Sequence, residues 1–155
     1  MNREKIAYIA GMFDGEGSIS IMKVLPRNGR VNIEYKTVVS ISNTFEPVII
    51  WIKEKLNSGY ISRTVNKKYP QHKPNYRWMA SYQQAYVFLK MVLPYLIIKQ
   101  AQAELAIKLE KSRHNFQQSR KGYKGFTEQP KSLLEEYDVI RESIQILNQR
   151  KVTAA

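Results

Sequence analysis

Apolar residues recur along the chain with two different periods, and stretches of the two alternate. Ile6, Ile9, Ala10 and Phe13 fall at three- and four-residue steps, which predicts a short helix over 4–13. The pattern stops in Asp14-Gly15-Glu16-Gly17, where two glycines permit a sharp turn, and Ser18-Ile19-Ser20-Ile21 then alternates with period two. A first strand is expected over 18–25, a basic turn over 26–30 and a second strand over 32–42. In the second strand Thr37, Val39 and Ile41 face a core, and Glu34, Lys36, Ser40 and Ser42 face outward. A helix with Pro47 in its first turn covers 46–56, carries Val48, Ile49, Trp51, Ile52 and Leu56 as its stripe, and ends at Ser58-Gly59.

The same reading gives strands over 60–66 and 75–81, joined by the loop 67–74. Tyr76, Trp78 and Ala80 alternate there with Asn75, Arg77 and Met79. A helix over 83–93 is halted by Pro94, and a longer one is expected over 97–112. Residues 113–129 are polar and basic, contain Gly122 and Gly125, and read as a loop. A last helix over 130–149 lines up Leu133, Leu134, Tyr137, Ile140, Ile144 and Leu147. No repeat or linker divides the chain, so residues 1–155 are expected to form one α+β domain of order αββαββα with extra C-terminal helices.

Charge changes this picture most. Twenty-five Lys and Arg against thirteen Asp and Glu leave a net charge of +12, which calls for a polyanionic partner. Many of the basic residues sit in strands and loops rather than on one amphipathic helix, which favours nucleic acid over a membrane surface. Cysteine is absent, which excludes disulfides and thiolate metal sites; the two histidines, His72 and His114, are too few for a histidine-based metal site. The N-terminus does not read as a signal peptide and no apolar run reaches spanning length, so the expected location is intracellular, with DNA.

The stretch Ile9-Ala10-Gly11-Met12-Phe13-Asp14-Gly15-Glu16-Gly17 resembles the LAGLIDADG motif of homing endonucleases: apolar stands for apolar, small for small and acid for acid. A second segment, Leu93-Pro94-Tyr95-Leu96-Ile97-Ile98-Lys99-Gln100, is similar to the family's Leu-Pro-aromatic-Leu turn followed by a lysine. Together with the element order, the resemblance to the single-motif LAGLIDADG family covers essentially the whole length. It implies a four-stranded antiparallel saddle over DNA, with the motif helices packed against each other.

The resemblance also assigns residues. Glu16 aligns with the metal-binding acid, and the Gly15 carbonyl becomes a second protein ligand for Mg²⁺ or Mn²⁺. Hard cations of this kind suit oxygen ligands and phosphodiester hydrolysis. Lys99 matches the basic residue near the scissile phosphate, and Asp14 a structural position at the helix end. Two departures stand out: Glu16 is one methylene longer than the family's aspartate, and Phe45 falls where a water-ordering glutamine is frequent, with Asn43 and Ser42 the nearest polar residues.

Base and phosphate contacts are expected from Arg27, Asn28 and Arg30 on the first turn, from Lys36, Ser40, Ser42, Ser62, Thr64, Asn66, Asn75 and Arg77 on the strands, and from Lys121 with its basic neighbours. A single motif implies a homodimer, with Ile9, Ala10, Met12 and Phe13 at the interface. The implied activity is a metal-dependent double-strand cut in a long, roughly palindromic DNA target, as in intron homing. The rival readings on the same fold are an RNA-binding intron maturase and a DNA-binding regulator that does not cut.

Overall fold

A computed structural model describes residues 1–27, 32–122 and 128–149. The elements run α1 (Arg3–Glu16), β1 (Gly17–Val24), β2 (Glu34–Asn43), α2 (Glu46–Leu56), β3 (Tyr60–Thr64), β4 (Asn75–Ser81), α3 (Gln83–Val92), a 3₁₀ turn (Leu93–Tyr95), α4 (Gln100–Ser119) and α5 (Lys131–Asn148). The four strands form one antiparallel sheet in the order β1-β2-β4-β3. One sheet face is apolar and packed: Ile19, Ile21, Tyr35, Val39, Ile41, Trp78 and Ala80 are all buried. The alternate residues form the open face, among them Ser18, Ser20, Met22 and Arg77.

The core closes around three rings. Phe13 of α1 meets Phe88 of α3 edge-on at 4.9 Å, and Trp78 of β4 meets Phe88 at 4.9 Å. Trp78 keeps its indole N–H satisfied by donating to the Ser58 carbonyl at 2.9 Å. At the other end of the sheet Tyr35 and Tyr137 pack edge-on at 5.3 Å, with the Lys23–Asp138 ion pair (2.7 Å) beside them tying β1 to α5. Asn148 donates to the Ile19 carbonyl of the edge strand β1.

Beyond Ser81, β4 gives way to Tyr82, whose positive φ of 53° turns the chain into α3. That leaves the Thr37 N–H of β2 past the end of the strand. The Glu110 carboxylate of α4 accepts it at 3.3 Å and is itself held by Arg113 at 2.6 Å. A buried charge is thereby paired and hydrogen-bonded rather than isolated.

Several expected boundaries move. The motif helix does not stop at Phe13 but continues through Asp14 and Gly15 to Glu16, and β1 begins at the next residue. The helix expected from 97 starts at Gln100 and runs past Ser112 to Ser119, so 113–119 is helical and not loop. Arg113 turning back to Glu110 and Ser119 Oγ donating to the Phe116 carbonyl hold those last turns; Gly122, at φ 91°, follows in a conformation that favours glycine. The third strand ends at Thr64, two residues early, because the Asn66 side chain takes the N–H groups of Lys68 and Tyr69 and starts a turn.

Gly17 makes the direct passage from α1 to β1 feasible. A Cβ there would lie 2.2 Å from Phe13 Cδ2 and 2.4 Å from the Phe13 carbonyl oxygen, whereas one on Gly15 would meet nothing within 4 Å. Gly17→Ala should therefore cost about 2 kcal/mol or more through overpacking. Gly15→Ala should change stability by less than about 1 kcal/mol. Denaturant melts of the two variants check the contrast.

Candidate catalytic centre and nucleic-acid interface

Helix α1 ends with its charges reversed from the usual preference: Asp14 and Glu16 lie in the last turn and no basic residue does. Carboxylates at the negative end of a helix are unfavourable unless a cation comes from elsewhere. Here the cation comes from the chain leading into α4. Lys99 Nζ donates to the Asp14 backbone carbonyl, one of the last-turn oxygens without a partner inside the helix.

The Asp14 side chain answers in the opposite direction. Its carboxylate accepts the backbone N–H groups of Ile97 at 2.7 Å, Ile98 at 3.2 Å and Lys99 at 3.0 Å. Helix α4 has no cap from its own side chains; Asp14, 8% exposed, instead anchors the 97–99 segment that leads into it, up to the N-cap residue Lys99. An acid thus sits at the positive end of α4 and an ammonium at the negative end of α1. Burial lowers the Lys99 pKa below its ordinary value, and the nearby Asp14 and Glu16 charges offset part of that shift.

Glu16 and Gly15 are exposed beside this clasp. Their carboxylate and carbonyl oxygens are hard donors, which fit a divalent cation completed by ligands from outside the protein. Among the described residues no group of three or more His, Cys, Asp and Glu could hold a metal. Phe45, at the glutamine position, is 64% exposed. Of its polar neighbours, Asn43 accepts the Phe45 N–H at 2.8 Å and Ser42 accepts from Arg77 Nε at 2.9 Å, so both are engaged locally.

On the open sheet face the strand register brings Ser42, Ser62, Thr64, Asn75 and Arg77 together, while Lys36 shares the face but lies opposite Met22, towards the other end of β2. Ser40 shares that face but is 7% exposed and shares a hydrogen bond with Ser18 at 2.8 Å, which corrects its expected role as an open contact. Asn66 lies beyond β3, in the turn that it caps itself. Arg27 is exposed just past β1, and Lys121 lies beyond the far end of α4 from Lys99. Asn28 and Arg30 lie outside the described residues.

The expected dimer residues need correction too. Ile9, Ala10 and Phe13 are fully buried in the protomer's own core, and Met12 packs against it. The exposed side of α1 carries Ala7, Tyr8, Gly11 and Gly15. Sequence reading missed this side, although the spacing Ala7, Gly11, Gly15 marks one line of small residues along the helix. It also missed Asp14 as the anchor of the segment entering α4; nothing local to 97–100 announces a partner 83 residues away.

A helix running straight into an antiparallel sheet, a second helix pinned to its end and an open sheet face define an α+β architecture, that of the LAGLIDADG homing endonucleases. Those nucleases are the chain's structural neighbours. The homing endonuclease I-CvuI, solved with a DNA target in the presence of Mg, has a TM-score of 0.73 at 19% identity, over 98% of this chain and 87% of that one. The archaeal intron-encoded I-Vdi141I, solved with DNA, has a TM-score of 0.59 at 19% identity, covering 92% and 98%. The LAGLIDADG enzyme I-GzeII, solved with its DNA target, has a TM-score of 0.67 at 19% identity, covering 89% of this chain and 44% of that one. No protein-family profile matches the chain, and no curated protein does.

If the clasp holds the two helix ends together, Asp14→Asn should lower unfolding free energy by about 1–3 kcal/mol, since an amide nitrogen would face N–H groups that need an acceptor. Exposed Glu16→Gln should shift it by less than about 0.5 kcal/mol. Equilibrium denaturation of both variants gives the comparison.

Proposed function

We propose that the protein is a homodimeric, divalent-metal-dependent endonuclease that cuts both strands of a long, roughly two-fold-symmetric DNA site, in the setting of intron homing. The observation that carries this reading is the crossed clasp, which holds Lys99 at the same helix end as Glu16. Its likeness in fold to nucleases solved on DNA supports the same reading.

Glu16 and the Gly15 carbonyl would hold Mg²⁺ or Mn²⁺, which when bound supplies charge neutralisation on the phosphate and an acidified water. The residues of the chain do the remainder. Glu16 offers a carboxylate at an open position, able to accept a hydrogen bond from water. The Lys99 ammonium is partly desolvated and held by the Asp14 carbonyl, so it can meet charge developing on a phosphate oxygen with little reorganisation. The sheet face and its flanking cations hold the duplex.

One protomer presents one Glu16 and one Lys99, so cutting two strands takes two copies. The side of α1 carrying Ala7, Gly11 and Gly15 suits the close approach of a partner's α1, because a Cβ on Gly11 or Gly15 meets nothing within 4 Å in the protomer. Gly11→Ala separates the two roles of this helix. It should favour the isolated helix by roughly 1 kcal/mol and yet weaken the dimer, seen in sedimentation as dissociation at concentrations where the wild type stays paired. An unchanged dimer would place the interface elsewhere.

The activity test begins with duplexes enriched from a random library by binding. Wild-type protein with Mg²⁺ should cut them on both strands, and a chelator should stop it. Glu16→Gln should bind the same duplexes while cleaving about 100-fold or more slowly. Undiminished cleavage by that variant would end the assignment of Glu16. Specific binding without cleavage by the wild type would favour the regulator instead.

A further inference from the structure

Among the serines, Lys36 and Arg77 of the open sheet face, the apolar residues are not scattered but fall on one line. Tyr60 on β3 lies opposite Met79 on β4, Val38 on β2 is the diagonal neighbour of Met79, and Met22 on β1 is the diagonal neighbour of Val38. Val24 continues the line along β1. Tyr60 is 53%, Met22 52% and Val24 37% exposed, while Val38 and Met79 are half-buried. These five form one diagonal band across all four strands. From strand and residue spacings the band is about 25 Å long, the rise of roughly seven base pairs.

The surroundings of the band state the chemistry of its occupant. Lys36 and Arg77 stand on the same face, and Arg27, Lys67 and Lys68 are exposed just beyond the ends of its strands. Glu34, the one acid on this face among the described residues, accepts the Tyr82 hydroxyl at 2.8 Å. Facing a second copy would bring these cations against their own equivalents, whereas a polyanion complements them. In a major groove the apolar feature of the base edges is the thymine C5-methyl group, and uracil lacks it.

We infer that the band formed by Tyr60, Met79, Val38, Met22 and Val24 reads thymine methyl groups in the major groove, so that each half-site is thymine-rich where the sheet covers it. This deepens the proposed function and rests on it. The neighbouring Ser42, Ser62, Asn75 and Arg77 add polar readout at one end of the band. The same band would give nothing on RNA, whose uracil carries no methyl.

The test uses the full chain. Duplexes are first enriched from a random library, and the winner is then made with thymine and with deoxyuridine at every thymine position. Removing one well-packed methyl weakens binding about two- to four-fold, so three or more contacts should weaken the deoxyuridine duplex by about ten-fold or more. Val38→Thr and Met79→Gln, which keep side-chain shape, should narrow the gap between the two duplexes. Met22→Gln, at a more exposed position, should do so with least effect on folding. Equal affinity of the wild type for both duplexes overturns the inference while leaving DNA binding intact, as does an enriched site without thymine bias. Failure to enrich any duplex overturns the DNA reading beneath it.

Discussion

The reciprocal contact between Asp14 and the 97–99 segment carries the candidate site. The end of α1 and the segment entering α4 satisfy one another's backbone groups: carboxylate to the amides of 97–99 in one direction, ammonium to carbonyl in the other. Hydrogen bonds to charged groups contribute about 1.5–3 kcal/mol each, a large share of the margin by which a domain of this size is stable. Folding the protein and assembling its candidate chemistry are therefore one event. Glu16 needs no support of its own, because the residue two positions before it is fixed to Lys99.

Electrostatics explains why such a clasp suits a phosphate-directed site. Asp14 and Glu16 end a helix whose own dipole repels them, which primes that corner for cations. Lys99 meets part of this demand and is partly stripped of water in doing so. An additional cation bound at Glu16 would meet more of it. The chain as a whole, at +12, draws in the polyanion that could supply the remaining ligands.

Much of this was legible in the residues. The α+β class and the order of the strands and helices followed from periodicity, because Ile19, Ile21, Val39, Ile41, Trp78 and Ala80 alternate cleanly and are buried. Resemblance to a family singled out Glu16 and Lys99 separately, and the structure holds Lys99 against the Asp14 carbonyl, near the same helix end as Glu16. What stayed hidden was non-local. The segment entering α4 is held by a carboxylate on another helix, which no window around 97–100 contains. Periodicity identified Ile9, Ala10 and Phe13 as apolar but could not tell the protomer's core from a partner. Ser40 keeps the outward parity of its strand, yet a cross-strand serine and the neighbouring strands cover it.

The absence of any connecting residue between α1 and β1 has a geometric meaning. Gly17 converts helix to strand in a single step, against a ring that admits no Cβ, so the two elements behave as one bent lever. Glu16 stands at the bend, and the reading face begins at Ser18. Under the proposed function, the offset between the base pairs sensed and the bond broken is then a fixed ruler length, set by covalent geometry rather than by a hinge. A target lengthened or shortened between those points would be held correctly and still present the wrong phosphate.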